Sequence, residues 1–320
     1  MTKNSINICV GLTLCLGLLL SCGNNKPKSN RTDTYASGVC SFTCDDSFSP
    51  IIGEQIDIFE RMYPTAKVKP IYTDEIDAVN KLMTEKVWLA ITTRRFTPKE
   101  QKNLEDRKFL PRAIPLAYDG LALIINNSNP DSCLSVKDIK LILSGKAKNW
   151  KDIFPDSKLG EFDVVFDNAK SSTVHYCADS ILGGKPINSP NITAEKKSEE
   201  DTNYVSSQPN ALGVIGSNWL NDKRDSTNVT FKKNIRVVAV SRLDKATVIN
   251  SWKPYQYYIY NGNYPLVRTI YAMLNDPRNG LPWGFASFLQ SPKGQLIFFK
   301  AGLLPARGQL NVREVNVNQN

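Results

Sequence analysis

Apolar residues along this chain keep switching between two spacings. VCSFT (39–43), AKVKPIY (66–72) and VWLAITT (87–93) are short, β-branched and strand-like. Between them, SPIIGEQIDIFERMYP (49–64) places Ile52, Ile56, Phe59 and Met62 at helical intervals, with Ser49-Pro50 as a start and Pro64 as a stop. EIDAVNKLMTE (75–85) predicts a second helix and PKEQKNLEDR (98–107) a polar third. PRAIPLAY (111–118) and GLALIIN (120–126) are two extended pieces, and SVKDIKLILSG (135–145) is a helix closed by Gly145. FDVVF (162–166) predicts a strand, followed by a helix from about Thr173. Strands are expected at 211–216 and 234–240, and helices at 264–276, 282–290 and 292–302. The polar insert at 185–204 carries no clear period. Strands alternating with helices argue for an α/β fold, its sheets covered on both faces.

The first 22 residues break that pattern. Residues 9–20, CVGLTLCLGLLL, form one apolar run behind Lys3, too short for a comfortable span and flanked like a signal peptide. The ending LLSC (19–22) resembles a bacterial lipobox, so Cys22 is expected to be the lipidated residue after cleavage. Residues 23–35 are polar and aperiodic, a flexible tether. The protein is thus expected to be exported, at the periplasmic face of a membrane or at an outer membrane, touching lipid only through its anchor. Of the seven cysteines, Cys40, Cys44, Cys133 and Cys177 remain in the body, and spacing alone assigns no pair.

Composition then narrows the chemistry. With 41% apolar and 22% charged residues the chain is globular, and its net charge of +9 favours anionic partners. The basic residues are dispersed rather than stacked on one helix, which argues against nucleic acid. His175 is the sole histidine, no GxSxG elbow accompanies it, and a single CxxxC pair makes a poor metal site. A hydrolase therefore lacks both base and metal ligands, and no cofactor is expected.

The remaining candidates are polar strand-to-helix junctions, where α/β proteins place ligands. Three stand out: CDDSFSP (44–50), TTRRFTPKE (92–100) and DNAKSSTVHYCADSIL (167–182). Ser171, Ser172 and Thr173 suit a helix cap, and equally an anion held on N–H and hydroxyl donors. If the junctions converge, they form a small donor-lined cavity suited to a tetrahedral oxyanion, for which arginine offers a bidentate fork.

Several ordered stretches carry a family resemblance: DDSFSPIIGEQIDIFERMYP, LAITTRRFTPKE, PLAYDGLALIINNSNP, LSVKDIKLILSGKAKNW, SSTVHY, QPNALGVIG, YPLVRTIY and SPKGQLIFFKAGLLP. Together they resemble the phosphate-binding proteins of ABC phosphate transporters, in a divergent lipoprotein branch of Gram-negative bacteria. The resemblance implies a type II periplasmic-binding-protein-like fold: two lobes, each a mixed sheet flanked by helices, joined by two hinge crossings near Tyr118 and Tyr260. Lobe one would comprise 36–118 plus 261–309 and lobe two 119–260, with 310–320 as a tail. It implies a phosphate site built from Ser47 and Phe48 in one lobe and Ser171, Ser172 and Thr173 in the other. Implied partners are inorganic phosphate or a similar oxyanion and an ABC permease in the inner membrane, with the protein a monomer and not an enzyme.

The chain also departs from that pattern. Ser172 replaces a glycine, Asp167 stands where many members carry arginine, and Trp88 and Leu89 stand where many carry aspartate. Arg94 is the expected substitute guanidinium. Asp46 or Glu75 is the expected acceptor for protonated phosphate, the group that would discriminate against sulfate. The alternative is a paralogue that binds another ligand or none and serves as a cell-envelope binding or assembly component.

Overall fold

A computed structural model describes residues 31–167, 169–189, 191–194, 198–220 and 232–308. Cys22, the leader, most of the tether, the 310–320 tail and part of the 185–204 insert lie outside the described residues. The first half alternates as its periodicity implies: β1 (Gly38–Asp45), α1 (Ser49–Met62), β2 (Ala66–Thr73), α2 (Glu75–Met83), β3 (Leu89–Thr92) and α3 (Pro98–Asp106). Each helix starts for a local reason. Pro50 opens α1, the Asp74 side chain caps α2 through the Asp77 amide, and Thr97 with Glu100 forms a capping box on α3.

The two extended pieces after α3 are one strand, β4 (Arg112–Asn126). Then come β5 (Cys133–Ser135), α4 (Val136–Leu143), β6 (Asp163–Phe166), α5 (Ser172–Tyr176), β7 (Asn191–Ala194), α6 (Ser198–Ser207) and β8 (Ala211–Gly216). The expected strand at 234–240 splits at Val238 into β9 (Ile235–Val237) and β10 (Ala239–Ser241), which pair with β4 and β5 respectively. The chain ends through α7 (Gln256–Tyr260), β11 (Val267–Leu274), α8 (Leu281–Gln290), α9 (Pro292–Lys300) and β12 (Leu304–Pro305).

β11 is a correction. Residues 264–276 are expected as a helix, yet Val267–Leu274 form a strand between β3 and β4, antiparallel to both. Leu266, Ile270 and Leu274 do fit a helical spacing. The first six residues of β11 also alternate in period two, with Arg268, Ile270 and Ala272 buried and Val267, Thr269 and Tyr271 half-buried. Pairing on both edges decided between the two periods, which no local pattern could do.

The strand order is β2-β1-β3-β11-β4-β8-β6-β7. β4 links two mixed halves: its first part pairs with β11, and Leu121–Ile125 pair with β8. Each half has its own apolar core. Phe42, Phe48, Phe59, Phe285 and Phe298 fill one; Trp150, Phe162, Phe166 and Tyr264 anchor the other. Among the described residues no helix is long and apolar enough to cross a membrane.

Candidate functional site

The C-terminal ends of β1, β6 and β8 converge on the middle of the long sheet, as open α/β sheets place their ligand sites. Asp45 ends β1, and its Oδ1 accepts a bond from the Ser47 amide at 2.9 Å. Its Oδ2 accepts from the Ser172 amide at the head of α5, 3.2 Å away and 127 residues distant in sequence. Ser47 Oγ donates to Asp167 Oδ2 at 2.8 Å, and Thr173 Oγ1 donates to Asp167 Oδ1 at 2.5 Å. Ser171 Oγ lies 2.6 Å from Thr173 Oγ1. The Ser47 carbonyl accepts from Asn218 Nδ2 and Trp219 Nε1, at 2.9 and 2.8 Å.

Arg268 stands behind this cluster, the only buried lysine or arginine among the described residues. The register of β11 on β4 sets it opposite Asp119. Its Nε donates to Asp119 Oδ2 at 2.9 Å, and its Nη1 donates to Ser172 Oγ at 2.8 Å. The ring of Phe48 lies under the guanidinium, 5.1 Å from its carbon. Asp119 also accepts from the Ser217 amide and hydroxyl, at 2.9 and 2.8 Å. A β-carbon on Gly216 would lie 2.6 Å from Asn218 Oδ1 and 3.0 Å from both Arg268 Nη2 and Asp119 Oδ2, so a side chain at the end of β8 would displace Asn218 and crowd the pair. Arg268 Nη2 and Asn218 Oδ1 are buried without a hydrogen-bond partner.

Burial and charge set the electrostatics. Burial, helped by Glu75 and Asp167, pushes the Asp45 carboxyl up to about 6, against the pull of Arg268 and the Ser172 bond. Burial works against the charge on Arg268, but Asp119, Asp45 and Asp167 outweigh it and hold the pKa above its ordinary value. Glu75, at the head of α2, accepts from the Thr93 amide and hydroxyl, both at 2.8 Å, and shares a 2.9 Å bond with His175 Nδ1. Burial opposes the Glu75 charge, yet the His175 and Thr93 bonds keep its pKa below the ordinary carboxylate value. The bond to Glu75 raises that of His175. Beside the cluster a cavity of about 290 Å3 is lined by Glu75, Arg94, His175, Tyr176, Arg268 and Tyr271 among others.

Ser47, Ser171, Ser172 and Thr173, singled out in the sequence, therefore meet in space. Phe48 contributes its ring beneath Arg268, and Asp46 lines a narrow gap with Asp74, Asp167 and Ser171. Glu75 sits at the edge, bound to His175. Arg94 lies on the cavity wall, its two terminal nitrogens donating to the Glu100 carboxylate at 2.8 Å each. Sequence reasoning missed Arg268, Asp45 and Asp119. Arg268 lies within YPLVRTIY and Asp119 within PLAYDGLALIINNSNP, both family-bearing stretches. Reading 264–276 as a helix hid the cross-strand partnership between them.

Two α/β halves thus share one long sheet, with a buried polar cluster where their strand ends meet. Residues 29–293 match a family model described as a PBP superfamily domain, and the chain belongs to that superfamily. It is similar to the phosphate-binding protein PstS of Staphylococcus aureus strain USA300, 23% identical over 296 residues that cover 89% of this chain and 83% of that protein. Among solved structures, it resembles a putative phosphate ABC transporter substrate-binding protein with bound phosphate from Clostridium perfringens. The TM-score is 0.68 at 20% identity, covering 84% of this chain and all of the other. An ABC-type phosphate transport receptor from Vibrio cholerae gives a TM-score of 0.64 at 18% identity, with 84% and 100% covered. The resemblance read from the sequence, the α/β type II architecture and the assignment to binding proteins rather than enzymes are borne out at this level.

Proposed function

We propose that this chain is a lipid-anchored solute-binding protein that captures inorganic phosphate in the cleft between its two lobes and delivers it to an ABC permease in the inner membrane. One observation carries the reading. Ser47 from one half, and Ser171, Ser172 and Thr173 from the other, converge in front of the one buried guanidinium among the described residues. Hydroxyl, amide and guanidinium donors in a buried chamber match the needs of a tetrahedral oxyanion. The names of the relatives point the same way. β4 and the approach to β11 would serve as the hinge crossings, with lobe one at 36–118 plus 261–309 and lobe two at 119–260. Within this reading Arg268 is the ligand-facing guanidinium and Arg94 lines the mouth.

Calorimetric titration of the purified protein with phosphate, sulfate and molybdate tests the proposal. Phosphate is expected to bind best. Absence of heat with every oxyanion would sink it and favour the second reading, a family member that serves the cell envelope without taking phosphate. That second reading has one specific observation in its favour: Asp45 and Asp167 already accept the bonds an oxyanion would use.

A further inference from the structure

The donors proposed for the oxyanion are claimed by the chain's own carboxylates. The Ser47 and Ser172 amides point at Asp45, and the Ser47 and Thr173 hydroxyls point at Asp167. Three buried carboxylates, Asp45, Asp119 and Asp167, act on Arg268, the one buried cation among the described residues, and a fourth, Glu75, shares its cavity. His175 adds a second positive charge only at the edge and only when protonated. Placing a phosphate dianion among four carboxylates, in an interior that screens charge poorly, is strongly opposed.

Resting on the phosphate reading above, we propose that the oxyanion enters this chamber together with one proton from solvent, which the Asp45 carboxylate takes up as the Ser47 and Ser172 amides pass from it to the ligand. The exchange balances: Asp45 gives up two accepted bonds and one negative charge, and gains a hydroxyl that donates toward the incoming oxygen. Asp45 fits this role better than its neighbours. Its two carboxylate oxygens are held by the Ser47 and Ser172 amides, with some further pull from the Ser172 side chain, whereas Asp167 holds two hydroxyls, Asp119 is paired with Arg268, and Glu75 is bound by Thr93 and His175. The charged and titratable groups around it are Glu75 from α2, Asp74 ahead of that helix, Asp167 beyond β6, Arg268 on β11, His175 on α5, and Cys44 and Asp46 beside it in the chain. Burial already pushes its carboxyl up to about 6, and a neighbouring anion raises it further.

Linkage gives the sign. The complex binds one more proton than the unliganded protein, so affinity rises as pH falls toward about 6 and levels off below it. The slope approaches roughly tenfold per pH unit at its steepest. Phosphate ionises in the same range, so the comparison is between wild type and Asp45→Asn. Calorimetry between pH 5 and 8.5, in buffers of different ionisation enthalpy, counts the protons taken up. The wild type is expected to take up about one proton more than Asp45→Asn near pH 7, and the variant to bind phosphate at least about tenfold tighter than wild type at pH 8. Should the variant fold poorly, the carboxyl carbon resonance of Asp45 in wild-type protein reports the same event. It should read as protonated at pH 7 with saturating phosphate and ionised without it. Equal proton uptake by both proteins, or an ionised Asp45 in the saturated complex, overturns the inference and leaves the phosphate reading standing. Failure to bind phosphate at any pH overturns both.

Discussion

The turn after β1 and the turn after β3 share one design: a buried strand ends, a few polar residues follow, and a helix opens on proline. They use it in opposite ways. After β3 the polar groups satisfy one another locally. Thr97 and Glu100 cap α3 reciprocally, and the same Glu100 carboxylate takes both terminal nitrogens of Arg94. After β1 there is no acid one turn into the helix, since Ile51 and Ile52 fill those positions. Asp45 and Ser47 therefore find partners in Ser172 and Asp167, at the ends of elements more than a hundred residues away. A polar junction whose groups are all satisfied locally is neutralised in place, whereas one with groups left over after its local Asp45–Ser47 bond is available to join the two halves.

Four substitutions test this contrast, in order of expected effect. Arg268→Met removes the cation from Asp119 and its neighbours, leaving buried charge uncompensated. Denaturant unfolding should show a loss of about 3–5 kcal/mol, with phosphate binding abolished. A loss under 1 kcal/mol would mean that Arg268 does not organise the chamber. Thr173→Val deletes one hydroxyl bonded to a carboxylate. Phosphate affinity should fall about tenfold to a hundredfold, the value of one charge-assisted bond, as titration calorimetry would report.

Glu75→Gln addresses a further link between the halves, the Glu75–His175 bond. His175 has a raised pKa in the folded protein, so its contribution to stability is complete below about 6.5 and fades as pH climbs through the folded value. Glu75 has a lowered one, so its contribution is complete above about 4.5 and fades as pH drops through the folded value. The pair thus stabilises fully between about 4.5 and 6.5. In the glutamine variant the imidazole titration, followed by NMR, should move down toward 6.5. An unchanged titration would show that the pair does not form. Arg94→Ala should do least. Its partner lies in the same turn and both side chains are partly exposed. Stability should change by less than about 1 kcal/mol and phosphate affinity by less than about threefold. A larger loss of affinity would make Arg94 a direct ligand and erase the contrast between the two turns.

Much of the framework was written locally. The periodicity of 49–64 and 75–85, the proline at the start of α1 and the Thr97–Glu100 spacing depend on residues within a few positions of each other. Such signals survive without knowledge of the fold. The hydroxyl run at 171–173 and Ser47 were also legible, because strand-to-helix junctions announce themselves by composition. The strand identity of Val267–Leu274 was not, since its sequence satisfies two periods and only pairing with β3 and β4 selects one.

What the sequence determined alone, then, was the alternation of elements, the polar junctions and the family pattern that orders them, all short-range or cumulative properties of the chain. What only the tertiary structure decided was who faces whom. Arg268 meets Asp119 because two antiparallel strands pair in one register. Asp167 meets Ser47 because two distant strand ends abut. The physical reason is that charge and hydrogen bonding act through space at a few ångströms, and folding brings to that distance groups that the chain keeps more than a hundred residues apart.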